Sequence, residues 1–273
     1  MCRWIAYVGD PINLDDLLLK PQNSMVGQSQ HAQRSLYTVN GDGFGVGWYT
    51  GTRTPGLFRD VLPAWNDENL REIAAHVRSG LFLAHVRASS GSPIQRTNCH
   101  PFRHDNWLFQ HNGQIEDFGR LRRRIDLEIS PDLYSSLDGT TDSERIFYLA
   151  LSLGLADDPS GSLARTVFRI EALAREEDIK APLSMTAALT DGSRLFAVRY
   201  ASNGDAPSLF HSLNLHALRE CHGGSERFPG KGCVILSEPL DDVSQHWTEV
   251  PNGTFLTIEE GRVSSSAFVP GEH

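Results

Sequence analysis

The chain has 273 residues, of which 40% are hydrophobic, and its 34 acidic and 25 basic residues give a formal net charge of -9. This apolar share is ample for a packed core, and the acidic balance excludes a protein that wraps nucleic acid. No apolar run reaches the length of a membrane span and the first residues lack a signal-peptide pattern, so we expect a cytoplasmic protein that binds no membrane.

The amino-terminal segments are predicted to begin with a strand over residues 3–8. A short helix over 14–19 follows, with Asn13 as its cap. In the stretch NGDGFGVGWY (40–49) glycines alternate with apolar residues. Such a strand has one face without side chains, which is typical of close approach by another backbone or a ligand.

The middle of the chain is predicted to contain two buried strands and two helices. A helical segment near 67–78 precedes apolar strands at 80–88 and 106–111. Thr141 and Glu144 then form a capping signature ahead of a periodic apolar run, and a second amphipathic helix covers about 163–175.

After Pro182 the sequence returns to strands separated by turn residues. These strands are predicted at 182–191, 193–202, 232–238 and 254–263. Strands, two helices and strands again predict an α+β sandwich with two sheets face to face and helices outside. No linker or change in composition marks a boundary, so we expect a single domain over residues 1–273.

Cys2 directly follows the initiator Met1. Once Met1 is removed, Cys2 carries a thiol with a pKa near ~8.5 and an α-amine with a pKa near ~7.7–8.0, so nucleophile and base share one residue. While Met1 remains, the nitrogen is an amide and no such base exists. The alternative is that a small residue at position two merely favours removal of the methionine.

Further candidates for chemistry stand at the ends of the predicted strands. Arg87 ends one strand, where its guanidinium suits a carboxylate ligand or a structural salt bridge. His111, Asn112 and Gly113 end the next, and an Asn-Gly pair provides either oxyanion donors or a hairpin turn. Asp142 is predicted to begin a helix, where it either caps the helix or binds an ammonium group. Together these groups match what cleavage of a γ-glutamyl amide requires.

Several sequence motifs make the comparison with a known family specific. MCRW, AHVRASSG, TNCHPF, QHNGQIEDF and TTDSE occur in the order and approximate spacing of class II glutamine amidotransferases, which are N-terminal-nucleophile enzymes. NGDGFGVGWY and VILSEPLDD extend the resemblance to nearly the whole chain. They are similar to a stand-alone branch that includes the amidohydrolase of ergothioneine biosynthesis and the amidotransferase-like subunit of a fungal complex that degrades glutathione.

This resemblance implies a four-layer αββα sandwich and a role for each of seven residues. The implied roles are nucleophile for Cys2, oxyanion hole for Asn112 and Gly113, α-carboxylate binding for Arg87, α-ammonium binding for Asp142, substrate contact for Ser90 and pocket shape for His100. No metal or organic cofactor is required by this chemistry. The chain departs from synthase-coupled members, which have Arg-Trp-Ala-Thr-His where this sequence has RASSG. That departure opens the leaving-group side of the pocket and weakens any strict preference for free glutamine.

The resemblance implies an amidohydrolase that cleaves glutamine or another γ-glutamyl compound through a γ-glutamyl thioester. The products would be glutamate and ammonia or an amine. Two alternatives remain open: a glutaminase subunit that delivers ammonia to a separate synthase, and a non-catalytic scaffold that retains Met1. By analogy, the partners are a small-molecule γ-glutamyl substrate and a peptidase or synthase subunit. The sequence specifies neither the leaving group nor the oligomeric state.

The remaining cysteines and histidines show no zinc spacing. We therefore expect small core residues at three positions, Cys99, Cys221 and Cys233. We expect structural or surface histidines at five positions, His85, His104, His211, His216 and His222. The basic cluster over residues 120–124 is predicted to be a solvated helix face.

Overall fold

The computed structural model describes residues 2–33, 38–89, 91–212 and 231–272. In these ranges the strands, β1 to β13 in chain order, are Arg3–Asn13, Phe44–Trp48, Gly56–Asp60, Arg78–Val86, Phe102–His104, Trp107–Ile115, Leu183–Thr190, Leu195–Ala201, Phe210–Ser212, Gly232–Leu236, Trp247–Glu249, Thr254–Glu259 and Arg262–Ala267. The helices, α1 to α7, are Asp15–Leu18, Met25–Gln30, Glu68–His76, Phe118–Glu128, Pro131–Tyr134, Asp142–Ser152 and Pro159–Glu176.

The strands form two antiparallel sheets. The first sheet has the order β11-β9-β10-β1-β4-β2-β3, and the second has the order β13-β12-β8-β7-β6-β5. β1 lies inside the first sheet between β10 and β4, while β6 lies in the second sheet beside β7. Strands that are far apart in sequence are therefore neighbours, and both β1 and β6 have fixed positions in the interior of their sheets.

Three hydrophobic clusters fill the three spaces between four layers. One contains Leu17 and Leu70 from the first helices together with the first sheet. A second, which includes Trp4 and Leu108, lies between the two sheets. The third packs the second sheet against α4, α6 and α7 and includes Phe147. The predicted α+β fold with αββα layers is confirmed.

The alternation of side chains along β1 produces this layering. Trp4 and Ala6 belong to the cluster between the sheets, whereas Ile5 and Tyr7 belong to the cluster under the first helices. Successive residues of a strand point to opposite faces, so a strand covered on both sides is apolar throughout. This explains why the sequence after Cys2 is an almost unbroken apolar run.

The bare glycine face predicted for residues 40–49 is present in β2. A Cβ on Gly45 would overlap the carbonyl oxygen of His100, and one on Gly47 would lie 2.7 Å from the Leu108 side chain. The glycines therefore allow the second sheet and the loop before β5 to approach β2 closely.

Two local predictions were wrong. Asn13 does not cap α1, because β1 continues through Asn13, where it pairs with Arg78, and the Asn13 side chain donates to the Ala75 carbonyl. The Asn112-Gly113 pair does not end its strand, because β6 continues to Ile115. In contrast, Thr141 caps α6 as predicted, since its hydroxyl accepts the Glu144 amide at 3.2 Å.

Within the described residues, none of the helices combines the length and the apolar character that a membrane crossing requires.

Candidate active site

Cys2 and Arg87 lie side by side at one end of the first sheet. The ladder between β1 and β4 begins with Arg3 opposite Val86, the last residue of β4. Cys2 and Arg87 are the next residues beyond this pair, and the Ala88 amide lies 3.4 Å from Cys2 Sγ. The register of these two strands therefore places a thiol beside a guanidinium.

The Cys2 side chain is held as a thiol. Burial raises its pKa, and the Ala88 hydrogen bond and the charges of Arg87 and Arg3 offset that increase only in part. The thiol also donates to the Ala88 carbonyl at 3.5 Å. Because the pKa lies above that of an ordinary thiol, formation of the thiolate at neutral pH requires a base.

Arg87 is a buried cation whose hydrogen-bond partners are neutral. It is 3% exposed, and its Nη2 donates to Ser92 Oγ at 2.6 Å and to Ser89 Oγ at 3.2 Å, while Nη1 donates to the Asp42 carbonyl at 3.3 Å. Across the described ranges it forms no ion pair with a carboxylate, so the structural salt bridge considered above is not found there. A buried cation without a counter-ion is unfavourable, which favours an anionic ligand.

Asp142 is the first residue of α6 and carries the complementary charge. Its Oδ2 accepts the Ile115 amide and its Oδ1 accepts the Ser143 amide, each at 2.8 Å. These two amides orient the carboxylate without neutralising it. In the part of the chain that the structure describes, Asp142 forms no ion pair with a basic side chain.

Asp142 also lines a cavity of about 480 Å³. Ser92, which binds the Arg87 guanidinium, lines the same cavity. The cavity wall continues along residues 114–119 and includes Arg122 of α4. A ligand that enters this cavity therefore meets the carboxylate of Asp142 and the loop that holds Arg87.

Asn112 and Gly113 lie within β6, and each has an unusual environment. Asn112 is 1% exposed, and neither Nδ2 nor Oδ1 of its side chain has a hydrogen-bond partner among the described residues. Gly113 has φ of +148°, and a Cβ at this position would overlap the Ser184 carbonyl oxygen. Position 113 therefore requires glycine, and position 112 holds a buried amide that no described residue hydrogen-bonds.

Hydrogen bonds join the facing sheets next to these residues. Trp4 Nε1 in β1 donates to Thr186 Oγ1 at 3.2 Å, and Thr186 lies opposite Asn112 in the ladder of β6 and β7. The His85 Nε2 atom lies 3.1 Å from the His111 carbonyl oxygen. These contacts connect the strand that follows Cys2 to the strand that carries Asn112.

Three buried histidines surround this connection. The rings of His85 and His100 stack with their centroids 4.2 Å apart, and His111 Nδ1 lies 2.8 Å from Ser143 Oγ. Burial lowers the pKa of all three, and that of His85 falls to about 3. The rings are therefore neutral near pH 7. No group of three or more acidic, cysteine or histidine side chains in the described residues is placed to hold a metal ion.

The buried histidines predict a loss of stability in mild acid. In the unfolded chain these rings titrate near their reference pKa of 6.5, whereas in the folded chain their lowered pKa values keep them neutral. The unfolded state therefore binds more protons below that pH. We expect the free energy of unfolding to fall between pH 7 and pH 5 by up to ~1.4 kcal/mol per pH unit for each histidine.

Urea unfolding at a series of pH values measures this effect. His100→Phe removes one of the three titrating rings and should reduce the slope. His76→Gln is the control, because it removes a histidine that is exposed on α3 instead of buried between the sheets. A constant free energy of unfolding between pH 7 and pH 5 would contradict the prediction.

The motifs MCRW and VILSEPLDD meet beside Cys2. Arg3 Nε pairs with Glu238 Oε2 at 3.3 Å, and Arg3 Nη1 donates to the Cys2 carbonyl at 2.9 Å. Trp4 and Ser237 exchange hydrogen bonds of 3.2 and 3.0 Å. The buried pair of Arg3 and Glu238 thus holds the backbone of Cys2 from the side away from Arg87.

The sequence-based predictions have different outcomes at this site. Cys2 and Arg87 are adjacent, and the contacts through Trp4 and Thr186 link them to Asn112. Ser90 lies outside the described residues. The catalytic and binding roles assigned to these positions remain predictions.

The structure describes some of the other cysteine and histidine positions and does not describe the rest. Cys99 and Cys233 are buried, as predicted. Three positions fall outside the described residues, namely Cys221, His216 and His222.

Sequence reasoning missed the groups that orient the site. Ser89, Ser92 and Asp42 surround Arg87, and Ser143 contacts both Asp142 and a buried histidine. Asp42, Ser89 and Ser143 lie inside the quoted motifs, whereas Ser92 directly follows AHVRASSG. A single serine has no characteristic sequence pattern that would mark it as a site residue.

The four-layer arrangement is that of the N-terminal-nucleophile hydrolases. The chain belongs to the class-II glutamine amidotransferases, because the model of that family matches residues 24–272. It is therefore an amidotransferase-type enzyme. The family match does not include Cys2.

Individual relatives agree with this family. The chain is 34% identical over 293 residues to the probable glutamine amidotransferase DUG3 of Saccharomyces cerevisiae, with 95% of this chain and 82% of that protein covered. It is 29% identical over 265 residues to a gamma-glutamyl-hercynylcysteine sulfoxide hydrolase of Mycolicibacterium smegmatis, with 96% and 98% covered.

Solved structures give the same result. A glutamine aminotransferase class-II domain protein from Silicibacter pomeroyi superposes with a TM-score of 0.76 at 37% identity, covering 98% of this chain and 99% of that chain. Glutamine phosphoribosylpyrophosphate amidotransferase from Bacillus subtilis superposes with a TM-score of 0.64 at 15% identity, covering 98% of this chain and 50% of that one. The second similarity concerns the fold alone.

Proposed function

We propose that this enzyme hydrolyses the γ-amide bond of glutamine or another γ-glutamyl compound. The observation that carries the proposal is the pair of complementary charges, Arg87 and Asp142, which form no ion pair with oppositely charged side chains of the described residues. A free α-amino acid end would supply a carboxylate to the first and an ammonium to the second. The names of the yeast and mycobacterial relatives support the same substrate class.

The proposed reaction begins with removal of Met1, which converts the Cys2 nitrogen into an α-amine. This amine takes the proton of the Cys2 thiol, whose raised pKa makes a base necessary. The sulfur then attacks the γ-carbonyl carbon, a C–S bond forms and the carbonyl electrons move to the oxygen. The Asn112 amide and the Gly113 N–H would stabilise this oxyanion, a role that suits a buried carboxamide with no hydrogen-bond partner among the described residues.

The second half of the reaction releases both products. The oxyanion collapses, the C–N bond breaks and the Cys2 ammonium gives its proton to the departing nitrogen. Ammonia or an amine leaves, and the γ-glutamyl group remains on sulfur as a thioester. Water, deprotonated by the same amine, attacks the thioester, and glutamate is released with the thiol restored.

The carboxylate-binding role of Arg87 provides the test of this proposal. Arg87→Gln keeps hydrogen-bond donors but removes the charge, so we expect the KM for glutamine or a γ-glutamyl dipeptide to rise on the order of 10²-fold. Glutamate release, followed at varied substrate concentration, measures the change. Arg199→Gln is the matched control, because Arg199 lies in β8 of the second sheet, where it donates to the Ala206 and Val250 carbonyls and pairs with Glu249.

Two outcomes would count against the proposal. Absence of glutamate release from the processed wild-type protein with every γ-glutamyl compound would remove it. A folded Arg87→Gln protein with an unchanged KM would remove the carboxylate-binding role of Arg87.

A further inference from the structure

Ser143 connects Asp142 to the histidine cluster between the sheets. Its Oγ lies 2.8 Å from His111 Nδ1 and 3.4 Å from Asp142 Oδ1, and its backbone amide donates to the same Oδ1. Ser143 is 5% exposed and His111 is 1% exposed, so water does not compete for these contacts. The hydroxyl is therefore a buried bridge between a neutral imidazole and a carboxylate.

His111 in turn contacts the strand that carries the predicted oxyanion donors. It directly precedes Asn112 in β6, and its Nε2 lies 2.8 Å from the position that a Cβ on Gly113 would occupy. Its carbonyl oxygen is fixed by His85 Nε2 at 3.1 Å. A shift of this imidazole would therefore disturb both the backbone at Gly113 and the hydroxyl at Ser143.

We propose that Ser143 and His111 are positioning residues that fix the Asp142 carboxylate relative to β6, and thereby select substrates that carry a free α-amine. This inference rests on the proposed γ-glutamyl function. Asp142 is oriented by the Ile115 amide on one oxygen and by Ser143 on the other. Without the bridge, the carboxylate keeps its contacts to the Ile115 and Ser143 amides but loses the side-chain contact that connects it to His111.

The inference predicts a change in selectivity rather than a uniform loss of activity. Glutaramate, which is glutamine without its α-amine, has the same γ-amide and the same carboxylate. We expect Ser143→Ala to lower the ratio of kcat/KM for glutamine to kcat/KM for glutaramate about 10-fold, because only glutamine offers Asp142 an α-ammonium group. The loss for glutamine should lie mainly in KM, because Asp142 binds the end of the substrate remote from the reacting carbon.

Matched variants separate positioning from general destabilisation. Ser162→Ala also removes a buried serine hydrogen bond, the one from Ser162 Oγ to the Ala150 carbonyl at 2.6 Å, and should leave the ratio unchanged. Ser143→Thr retains the hydroxyl and should retain the wild-type ratio. If the alanine protein does not fold, Ser143→Cys replaces it, because a thiol of similar size is a weak hydrogen-bonding group.

The outcomes distinguish this inference from the proposed function. A wild-type enzyme that hydrolyses no γ-glutamyl compound would remove the proposed function. One that hydrolyses glutamine and glutaramate equally well would keep γ-amide hydrolysis but remove the ammonium-binding role of Asp142, and the positioning role with it. A wild-type enzyme that prefers glutamine, together with a folded Ser143→Ala protein of unchanged ratio, would overturn the positioning role alone.

Discussion

Replacement of Cys2 by alanine should lower kcat for γ-glutamyl hydrolysis on the order of 10⁴–10⁶-fold, the loss expected when a covalent nucleophile is removed. The backbone contacts around position 2 should survive, because the Arg3 guanidinium binds the Cys2 carbonyl and not its side chain. The free energy of unfolding should therefore change little. Glutamate release under single-turnover conditions measures the catalytic loss, and urea unfolding checks the fold.

Covalent labelling tests the same residue without turnover. Incubation with 6-diazo-5-oxo-norleucine, a reactive glutamine analogue, followed by intact-protein mass spectrometry should show loss of Met1 and a single adduct. The adduct should be absent from the Cys2→Ala protein. It should persist in Cys233→Ala, because Cys233 is buried in β10. A retained Met1 with no adduct would exclude the proposed nucleophile and favour the scaffold alternative.

The elements that the sequence predicted well are those defined by local patterns. The apolar run of β1, the apolar strand β4 and the capped helix α6 each have a pattern that a few neighbouring residues determine. The prediction failed at Asn13 because pairing with Arg78, far away in sequence, extended β1 beyond its apolar run. Partners in other elements overrode the local capping preference.

At the candidate site, the sequence likewise predicted some features and missed others. Cys2, Arg87, Asn112 and Asp142 were found from residue chemistry and a family resemblance. Several of the contacts that orient them were not predictable, because they join residues distant in the chain. The Arg3 to Glu238 pair spans 235 positions, and the contact between His85 and His111 crosses from one sheet to the other. The spacing of residues along the sequence does not indicate such contacts.

Asn112 combines a predicted role in the reaction with an unfavourable environment in the free enzyme. Both polar atoms of its side chain are buried and have no hydrogen-bond partner in the part of the chain that the structure describes, and burying them unpaired lowers the stability of the fold. An oxyanion would provide the missing acceptor for Nδ2 only during the reaction. Catalysis by differential binding requires groups that form better hydrogen bonds in the transition state than in the free enzyme.

Asn112→Leu should therefore change activity and stability in opposite directions. Leucine has nearly the same shape and no polar atoms, so the free energy of unfolding should rise by about 1 kcal/mol, while kcat should fall on the order of 10²–10³-fold. Asn98→Leu is the matched control, because the buried Asn98 amide donates to the Pro93 carbonyl at 2.9 Å and accepts the Thr140 amide at 2.8 Å. That variant should lose stability. An Asn112→Leu protein that is less stable than the wild type would show that the amide is satisfied in the free enzyme, and one that retains full kcat would show that it does not stabilise the oxyanion.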